Sequence, residues 1–337
     1  MLSLLAVFVL LCSVPCSRAG ESRVASRNGL YFAVVRQSGD ARGYPERNAW
    51  NASVFTHDGD RAFILSAEIP YDVPFPALYL SDTGEAIVIH TFDGLIEYYD
   101  SHGARSATIR PFGEAEPQLE QIIKCSVAGT RAAFLVSSPL EENARVFMSD
   151  FAGINLWAKE IPEQFAGEVF LSDDAGVVCA GAYSSRQEIS RTSVITDAEG
   201  RVLRTIPILF RCADVSPDNY LFALTERNAV LVGSVQDDRL EPARWTTASR
   251  SRIVTDVMFA DGVVAAAVDS VDMSDGSPVY RSPELVVIDR SATLLRQLQL
   301  IGSSRTPSRL TAGNGRVVLH SGSSSVGIST EDPGLPR

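Results

Sequence analysis

A short turn flanked by apolar strands recurs along this chain at a nearly constant spacing, and this repeat limits the folds open to it. The turn occurs as SDTG, SVAG, SDDAG, SPDN and ADG at intervals of 44 to 46 residues, beginning at Ser81, Ser126, Ser172, Ser216 and Ala260. A fixed period of this size is typical of small sheet units that stack side by side. One such unit cannot bury both of its faces alone, so the repeats are expected to form a single domain.

A second turn within the repeats supports this interpretation. Its variants are VFTHDGD from Val54, YYDSHG from Tyr98, VFMSDFAG from Val146, SVITDAEG from Ser193 and VVIDRSA from Val286. Asp suits such turns because its side chain bonds nearby backbone groups, and Gly suits them because it accepts a positive φ. The flanking runs are rich in Val, Ile, Phe, Tyr and Leu, which favours strands.

The repeats predict an all-β protein, a β-propeller of four-stranded antiparallel blades. Six complete units are expected at 22–70, 77–111, 121–163, 167–208, 209–247 and 252–300, with a shorter seventh at about 308–330. The two ends resemble each other, since SRVASRNGLYFAVV begins at Ser22 and SRLTAGNGRVVLHS at Ser308. Seven blades are favoured, and six blades with an appended hairpin are the alternative.

The units resemble the β-propeller superfamily of tryptophan–aspartate and PQQ-like repeats. The segment that carries the PQQ-like resemblance is RVFMSDFAGINLWAKEIP, in which Asp150, Gly153, Leu156 and Trp157 take the positions of the repeat signature. The resemblance implies that Trp157 packs between neighbouring blades. It does not imply a quinone cofactor, because this chain has no adjacent pair of cysteines.

The first residues, MLSLLAVFVLLCSVPCSRA, are typical of a secretory signal peptide spanning residues 1–19. The apolar run is short for a membrane span, and no other run is long and apolar enough to cross a membrane. We therefore expect a secreted or periplasmic protein whose propeller domain covers 20–330, followed by a disordered tail at 331–337. A short retained anchor at the N-terminus is the alternative.

Charge and cysteine content narrow the classes of partner. The net charge is −11, which argues against nucleic acid as a partner because such proteins carry a basic face. Three cysteines follow the leader, Cys125, Cys179 and Cys212, and an odd number excludes complete pairing within one chain. Buried free thiols are favoured, and a bond between Cys179 and Cys212 is the alternative. The protein is expected to be a monomer.

The sequence contains no known catalytic motif. It has four histidines, His57, His90, His102 and His320, and no two of them have the spacing of metal ligands. The cluster Asp269, Asp272 and Asp275 could offer oxygen ligands to calcium, but its spacing is not that of an EF-hand, and a solvated loop is favoured. The sequence thus predicts no cofactor and no metal site.

The connectors between strands point to a binding surface. In a propeller, the turns between strands 1–2 and 3–4 lie on one face, here named the turn face, and the 2–3 and 4–1 connectors lie on the other, the connector face. The turns are short, whereas several connectors are long, namely 36–51, 70–76, 111–120, 183–191 and 269–282. Loops on a rigid scaffold often bind partners, and Tyr, Trp and Arg are frequent at such sites. The candidate binding residues are Arg42, Tyr44, Trp50, Tyr71, Phe75, Arg186, Asp272 and Tyr280.

These observations favour an exported, non-catalytic propeller that binds a protein, a peptide or a component of the cell envelope. The alternative is a hydrolase or lyase, similar to propeller glycosidases, with carboxylates at the mouth of the central channel. Such carboxylates converge in space and leave little trace in a linear sequence.

Overall fold

The computed structural model describes residues 20–38, 47–70, 73–113, 121–184, 190–249, 251–274, 277–313 and 315–330. These residues form 28 β-strands arranged in seven antiparallel sheets. The described part of the chain contains no helix that could cross a membrane. The predicted all-β class and the favoured count of seven blades are confirmed.

Each sheet takes consecutive strands of the chain, so each sheet is one blade. The strands of blades 1 to 4 are β1 (Gly20–Ala25), β2 (Tyr31–Ser38), β3 (Arg47–Thr56), β4 (Arg61–Pro70), β5 (Ala77–Leu80), β6 (Ala86–His90), β7 (Leu95–Tyr99), β8 (Arg105–Ile109), β9 (Ile122–Ala128), β10 (Arg131–Ser137), β11 (Ala144–Asp150), β12 (Asn155–Ile161), β13 (Phe165–Leu171), β14 (Val177–Ser184), β15 (Ser190–Asp197) and β16 (Val202–Ile206).

The later blades are less regular. Their strands are β17 (Ala213–Val215), β18 (Leu221–Glu226), β19 (Ala229–Ser234), β20 (Ala243–Thr246), β21 (Arg252–Ala260), β22 (Val263–Ser274), β23 (Ser277–Ile288), β24 (Leu294–Gln299), β25 (Ser303–Ser304), β26 (Arg309–Gly313), β27 (Arg316–Ser321) and β28 (Ser324–Ser329). Blade 6 includes the short β25, which pairs with β23, and the described part of blade 7 consists of three strands, β26 to β28.

The first strand of each blade lies nearest the axis, because first strands of neighbouring blades contact one another, as β9 contacts β13 and β21 contacts β26. Apolar side chains fill the spaces between blades in six clusters, which join blades 1–2, 2–3, 3–4, 4–5, 5–6 and 6–7. Both faces of a middle blade are therefore buried. This explains unbroken apolar runs such as AIVIH in β6, since a strand covered on both sides needs no polar alternation.

The turns between third and fourth strands share one hydrogen-bonding pattern in five blades. In blade 4 the amide of Asp197 donates to the carbonyl of Arg201 and that of Gly200 donates to the carbonyl of Asp197. The fourth residue of each turn has a positive φ, which favours glycine. These residues are Gly59, Gly103, Gly153, Gly200 and Ala292.

The outermost strand of one blade packs against this turn in the next blade. A Cβ placed on Gly103 would meet Phe63 of β4, one on Gly153 would meet Ala107 of β8, and one on Gly200 would meet Trp157 of β12. The indole Nε1 of Trp157 also donates a 2.9 Å hydrogen bond to the carbonyl of Ala198 in blade 4. The expectation that Trp157 packs between neighbouring blades is confirmed.

Two connections differ from the sequence expectation. The segment 269–282 is mostly a hairpin rather than a loop. Its two strands, β22 and β23, remain paired as far as Ser274 and Ser277. In blade 5 the tight connection is the two-residue link between β18 and β19, whereas residues 235–242 form a long 3–4 turn. The turns of the turn face are therefore not uniformly short.

Candidate binding face

The β22–β23 hairpin is the most prominent described feature of the connector face. The pairing of β21 with β22 ends at Arg252 and Ser270, so residues 271–274 and their partners in β23 continue beyond the neighbouring strand. Four strand residues extend the hairpin by about 13 Å. Met273 is 63% exposed on this extension, and Asp272 forms a 3.2 Å ion pair with Arg281.

Four of the eight candidate residues are placed by the structure. Trp50 lies within β3 and is only 2% exposed, in the cluster between blades 1 and 2. Phe75 is half-buried beside the same cluster, and Tyr280 is buried in β23 opposite Ser304 of β25. Asp272 is exposed on the hairpin. Arg42, Tyr44, Tyr71 and Arg186 lie outside the described residues.

A buried carboxylate fixes the base of the hairpin. Asp269 is fully buried and accepts hydrogen bonds from Thr255 Oγ1 at 3.0 Å, from the amide of Ser308 at 2.9 Å and from Ser308 Oγ at 2.8 Å. Burial raises the pKa of Tyr280, and the charge of Asp269 adds to the increase. Asp269 therefore ties blade 6 to the segment entering blade 7, and its three bonds give it a structural role.

A second buried carboxylate lies between blades 3 and 4, and sequence analysis missed it. Glu163 Oε1 accepts hydrogen bonds from Ser190 Oγ at 2.8 Å and Thr192 Oγ1 at 2.5 Å. Glu163 Oε2 is buried and has no hydrogen-bond partner in the described structure. The short sequence IPEQ around this residue carries no signal of burial, which arises only when blade 4 packs against it.

The inner strands place several ionisable groups near the axis. Lys124 of β9 forms a 3.1 Å ion pair with Glu168 of β13. Asp214 of β17 accepts a 2.6 Å hydrogen bond from the amide of Phe259 in blade 6, and burial raises its pKa to about 6. Asp256 of β21 likewise accepts a 2.8 Å hydrogen bond from the amide of Leu310 in blade 7. Each aspartate links its own inner strand to that of the next blade.

The turn-face end of the axis is crossed by Arg27. This residue lies in the turn between β1 and β2, and its guanidinium donates to the carbonyl of Leu171 at 3.1 Å and pairs with Asp173 in blade 4. It also lies 3.5 Å from the carbonyl of Val127 in blade 3. Because blades 1 and 4 stand on opposite sides of a seven-bladed ring, the side chain must reach across the channel.

The histidines serve turns or internal contacts. His90 Nε2 lies 3.1 Å from Glu97 Oε2, and Glu97 also accepts hydrogen bonds from Tyr99 at 2.9 Å and Arg105 at 2.7 Å. The bond with His90 is the main cause that lowers the pKa of Glu97 to about 2. His57 and His102 lie in 3–4 turns, and His320 bonds Thr311. Within the described ranges, no group of three His, Cys, Asp or Glu side chains could hold a metal ion.

Cys125, Cys179 and Cys212 are free thiols, so the alternative of a bond between Cys179 and Cys212 is not realised. Burial raises the pKa of the Cys179 and Cys212 thiols to about 12.

On the turn face, an open depression of about 460 Å³ is lined by Tyr220, Gln236, Asp237, Asp238 and Arg239. This depression arises from the long 3–4 turn of blade 5.

Solved structures with the same architecture are propellers with tryptophan–aspartate repeats. Sqt1 from Chaetomium thermophilum matches 90% of this chain over 82% of its own, at 12% identity and a TM-score of 0.57. The C-terminal WD40 domain of Sif2 matches 91% over 79%, at 9% identity and 0.58. The Dos1 propeller matches 92% over 92%, at 9% identity and 0.58. No family model matches the sequence, and no curated protein matches it either. The likeness is one of fold.

Proposed function

We propose that this chain is an exported, non-catalytic β-propeller that binds a protein, a peptide or a component of the cell envelope through its connector face. The β22–β23 hairpin carries this proposal, because it projects exposed apolar and charged side chains from a buried base. A rigid support lowers the conformational entropy that binding must overcome. Met273 offers a flexible apolar contact, and the pair of Asp272 and Arg281 offers polar ones.

The roles of the buried carboxylates support a scaffold over an enzyme. Asp214 and Asp256 bond amides of the next blade, and Asp269 bonds Thr255 and Ser308. Groups that hold blades together in this way have their acceptor atoms already occupied. A catalytic acid or base needs an oxygen within reach of substrate.

Export forms part of the proposal and rests on the leader at residues 1–19. Removal of this segment would leave Gly20, the first residue of β1, at the N-terminus. N-terminal sequencing of the protein recovered from culture medium or periplasm checks this point. Recovery of the intact leader in the cytoplasm would contradict export.

A photo-crosslinking experiment tests the connector face directly. A photoreactive amino acid replaces Met273 on the hairpin, and a second version carries it at Ile154 on the turn face, which is matched in exposure at 61%. We expect a specific product in cells of the source organism at position 273, competed by unlabelled protein, and none at 154. A competed product at 154 alone would place the binding surface on the opposite face.

The alternative of a glycosidase-like hydrolase or lyase rests on Asp214, whose raised pKa suits a general acid. Its test is hydrolysis of a panel of aryl glycosides, in the wild type and in the variants Asp214→Asn and Glu168→Gln. Turnover that both substitutions abolish, in protein that remains folded, would replace the binding proposal.

A further inference from the structure

Within the described residues, blade 7 has no fourth, outermost strand, whereas each of the other six blades has one. The last described strand of its sheet is β28, for which the described residues supply one pairing partner, β27. The six apolar clusters join blades 1 to 7 in sequence, and none of them spans blades 7 and 1 in the described part of the chain. We name this place the seam, and define it by β28, the Phe32–Phe55 pair of blade 1 and the turn at Gly59.

The face of blade 1 at the seam resembles a buried face elsewhere in the ring. Phe32 and Phe55 stack with ring centroids 5.2 Å apart, as Phe134 and Phe147 do at 4.8 Å on the same face of blade 3. The pair in blade 3 is buried in the cluster shared with blade 2. The pair in blade 1 is only partly buried, and the guanidinium of Arg23 lies 3.9 Å from the centroid of the Phe32 ring, so part of this apolar surface stays accessible at the seam.

The 3–4 turn of blade 1 differs from those of blades 2, 3 and 4 in the contact at its glycine. Gly103, Gly153 and Gly200 each face a side chain from the outermost strand of the preceding blade. Gly59 has the same hydrogen bonds and a positive φ, yet no atom of the described residues lies within 4 Å of the position of its Cβ. By analogy with the other blades, the side chain at this position would come from a fourth strand of blade 7, which is not among the described strands.

The edge of β28 is open to pairing. Each of the six outermost strands carries at least one basic residue, and these are Arg61, Arg105, Lys159, Arg204, Arg244 and Arg296. Such charges discourage edge strands from pairing with other chains. In β28 the sequence is SSVGIS, with no charge and no proline. This edge therefore has none of the usual protection.

We propose that the seam binds an extended segment of a partner protein, which adds to β28 as the fourth strand of blade 7. This inference rests on the proposed binding function and names the form of one partner. Strand addition supplies affinity through main-chain hydrogen bonds and specificity through alternate side chains. The segment carries an aromatic residue that packs on Gly59 and, two residues later, a basic residue.

The chemistry of the partner segment follows from β12, which makes the equivalent contact at the junction of blades 3 and 4. Trp157 donates to the carbonyl of Ala198, and Lys159 Nζ donates to the carbonyl of Gly200 at 3.1 Å. The matching carbonyls in blade 1 are those of His57 and Gly59. Exposed Asp58 and Asp60 flank Gly59, and their charges favour a basic residue at this point.

Segments of this chain fit the position less well. Residues 4–11 form an unbroken apolar run, whereas the six outermost strands each include polar positions. Residues 331–337 include two prolines, which cannot donate hydrogen bonds to a ladder. The edge strand of a second copy offers SSVGIS, which has neither an aromatic nor a basic residue.

The test uses a labelled peptide with the sequence of β12, NLWAKEI, added to the full chain and followed by fluorescence anisotropy. A peptide in which glycine replaces tryptophan is the ligand control. The protein variant is Ser325→Lys, which places a charge on the β28 edge, and Ser106→Lys on β8 is its matched control because both serines are exposed on the last described strand of their blades. Amide exchange across 324–329 reports strand addition.

We expect the NLWAKEI peptide to bind the wild type and the Ser106→Lys control alike, and to slow amide exchange in β28. The glycine peptide and the Ser325→Lys variant should each bind at least about tenfold more weakly, as expected when a central anchor is lost. Absence of binding, or equal binding by Ser325→Lys, would overturn the inference.

Protection of β28 in the free protein would also overturn it, and the mass in solution would then separate a second copy from a segment of the same chain. These outcomes do not bear on binding by the connector face, because crosslinking at position 273 tests that face independently. Failure of the seam proposal is thus distinguishable from failure of the proposed function.

Discussion

The carboxylate of Asp214 accepts a 2.6 Å hydrogen bond from the amide of Phe259, which joins the inner strands of blades 5 and 6. Burial is the main cause that raises the pKa of Asp214 from 3.8 to about 6 in the folded protein. The folded state therefore holds this proton more tightly than the unfolded state does. The stability that protonation supplies is complete at low pH and is lost as the pH rises from about 4 to about 6.

The Asp214→Asn variant should remove this pH dependence. From pH 4 to pH 7, its free energy of unfolding should rise relative to the wild type by up to about 3 kcal/mol. Urea denaturation at the two pH values measures the difference. Asp218→Asn, on an exposed turn where bonds from Ser216 and the backbone lower the pKa, should change in the opposite direction. If the difference in free energy of unfolding between the wild type and Asp214→Asn were the same at both pH values, the raised pKa of Asp214 would be contradicted.

Glu97 should show the reverse behaviour. Its pKa is lowered from 4.5 to about 2, first by His90 and then by Arg105 and Tyr99, so its contribution is present above about pH 4.5 and lost as the pH falls towards 2. The Glu97→Gln variant should be less stable than the wild type by about 3 kcal/mol at pH 7, and the gap should close in acid. Equal stabilities at pH 7 would show that the network contributes nothing.

Arg27 should hold the turn face together across the axis. The Arg27→Ala variant loses bonds to Leu171 and Asp173 and should be destabilised by about 1–3 kcal/mol. Hydrogen exchange should become faster at the turn that follows β13. The control Arg61→Ala, at an exposed position, should stay within about 0.5 kcal/mol of the wild type. Unchanged exchange at that turn would refute a tie across the channel.

A pair of glycine substitutions separates backbone strain from packing. Gly200 and Gly59 have positive φ values of 78° and 90°, so Gly→Ala costs about 1 kcal/mol of strain at both. Only at Gly200 does the new Cβ also meet Trp157, at 2.6 Å. Thermal unfolding should therefore show that Gly200→Ala is less stable than Gly59→Ala by about 1–3 kcal/mol. Equal losses would show that Trp157 moves away at little cost.

The architecture could be predicted because each turn has a short sequence pattern that can be recognised without its neighbours. Turns such as SDDAG and DAEG require residues that accept a positive φ or bond nearby amides, and their spacing gives the number of blades. The packing of Trp157 between blades was implied by the resemblance of Asp150, Gly153, Leu156 and Trp157 to the PQQ-like repeat signature. Local rules of this kind specify each blade before any blade meets its neighbour.

Contacts between distant segments could not be predicted in this way. Nothing around Arg27 or Glu163 indicates that one crosses the axis or that the other is buried, because both properties depend on residues in other blades. The hairpin at 269–282 was expected to be a loop since Asp, Ser, Gly and Pro are frequent there. Its strands persist because each pairs with the other and because Asp269 fixes their base.

The crossing of Arg27 also bears on how a solute could use the central channel. A tube that is open at both ends lets a molecule enter by one mouth and leave by the other. With a guanidinium held across the turn-face end by groups of blade 4, a solute that passes through this mouth has to displace the side chain from Leu171 and Asp173. The contacts that hold blades 1 and 4 together then also set how fast a solute passes this mouth.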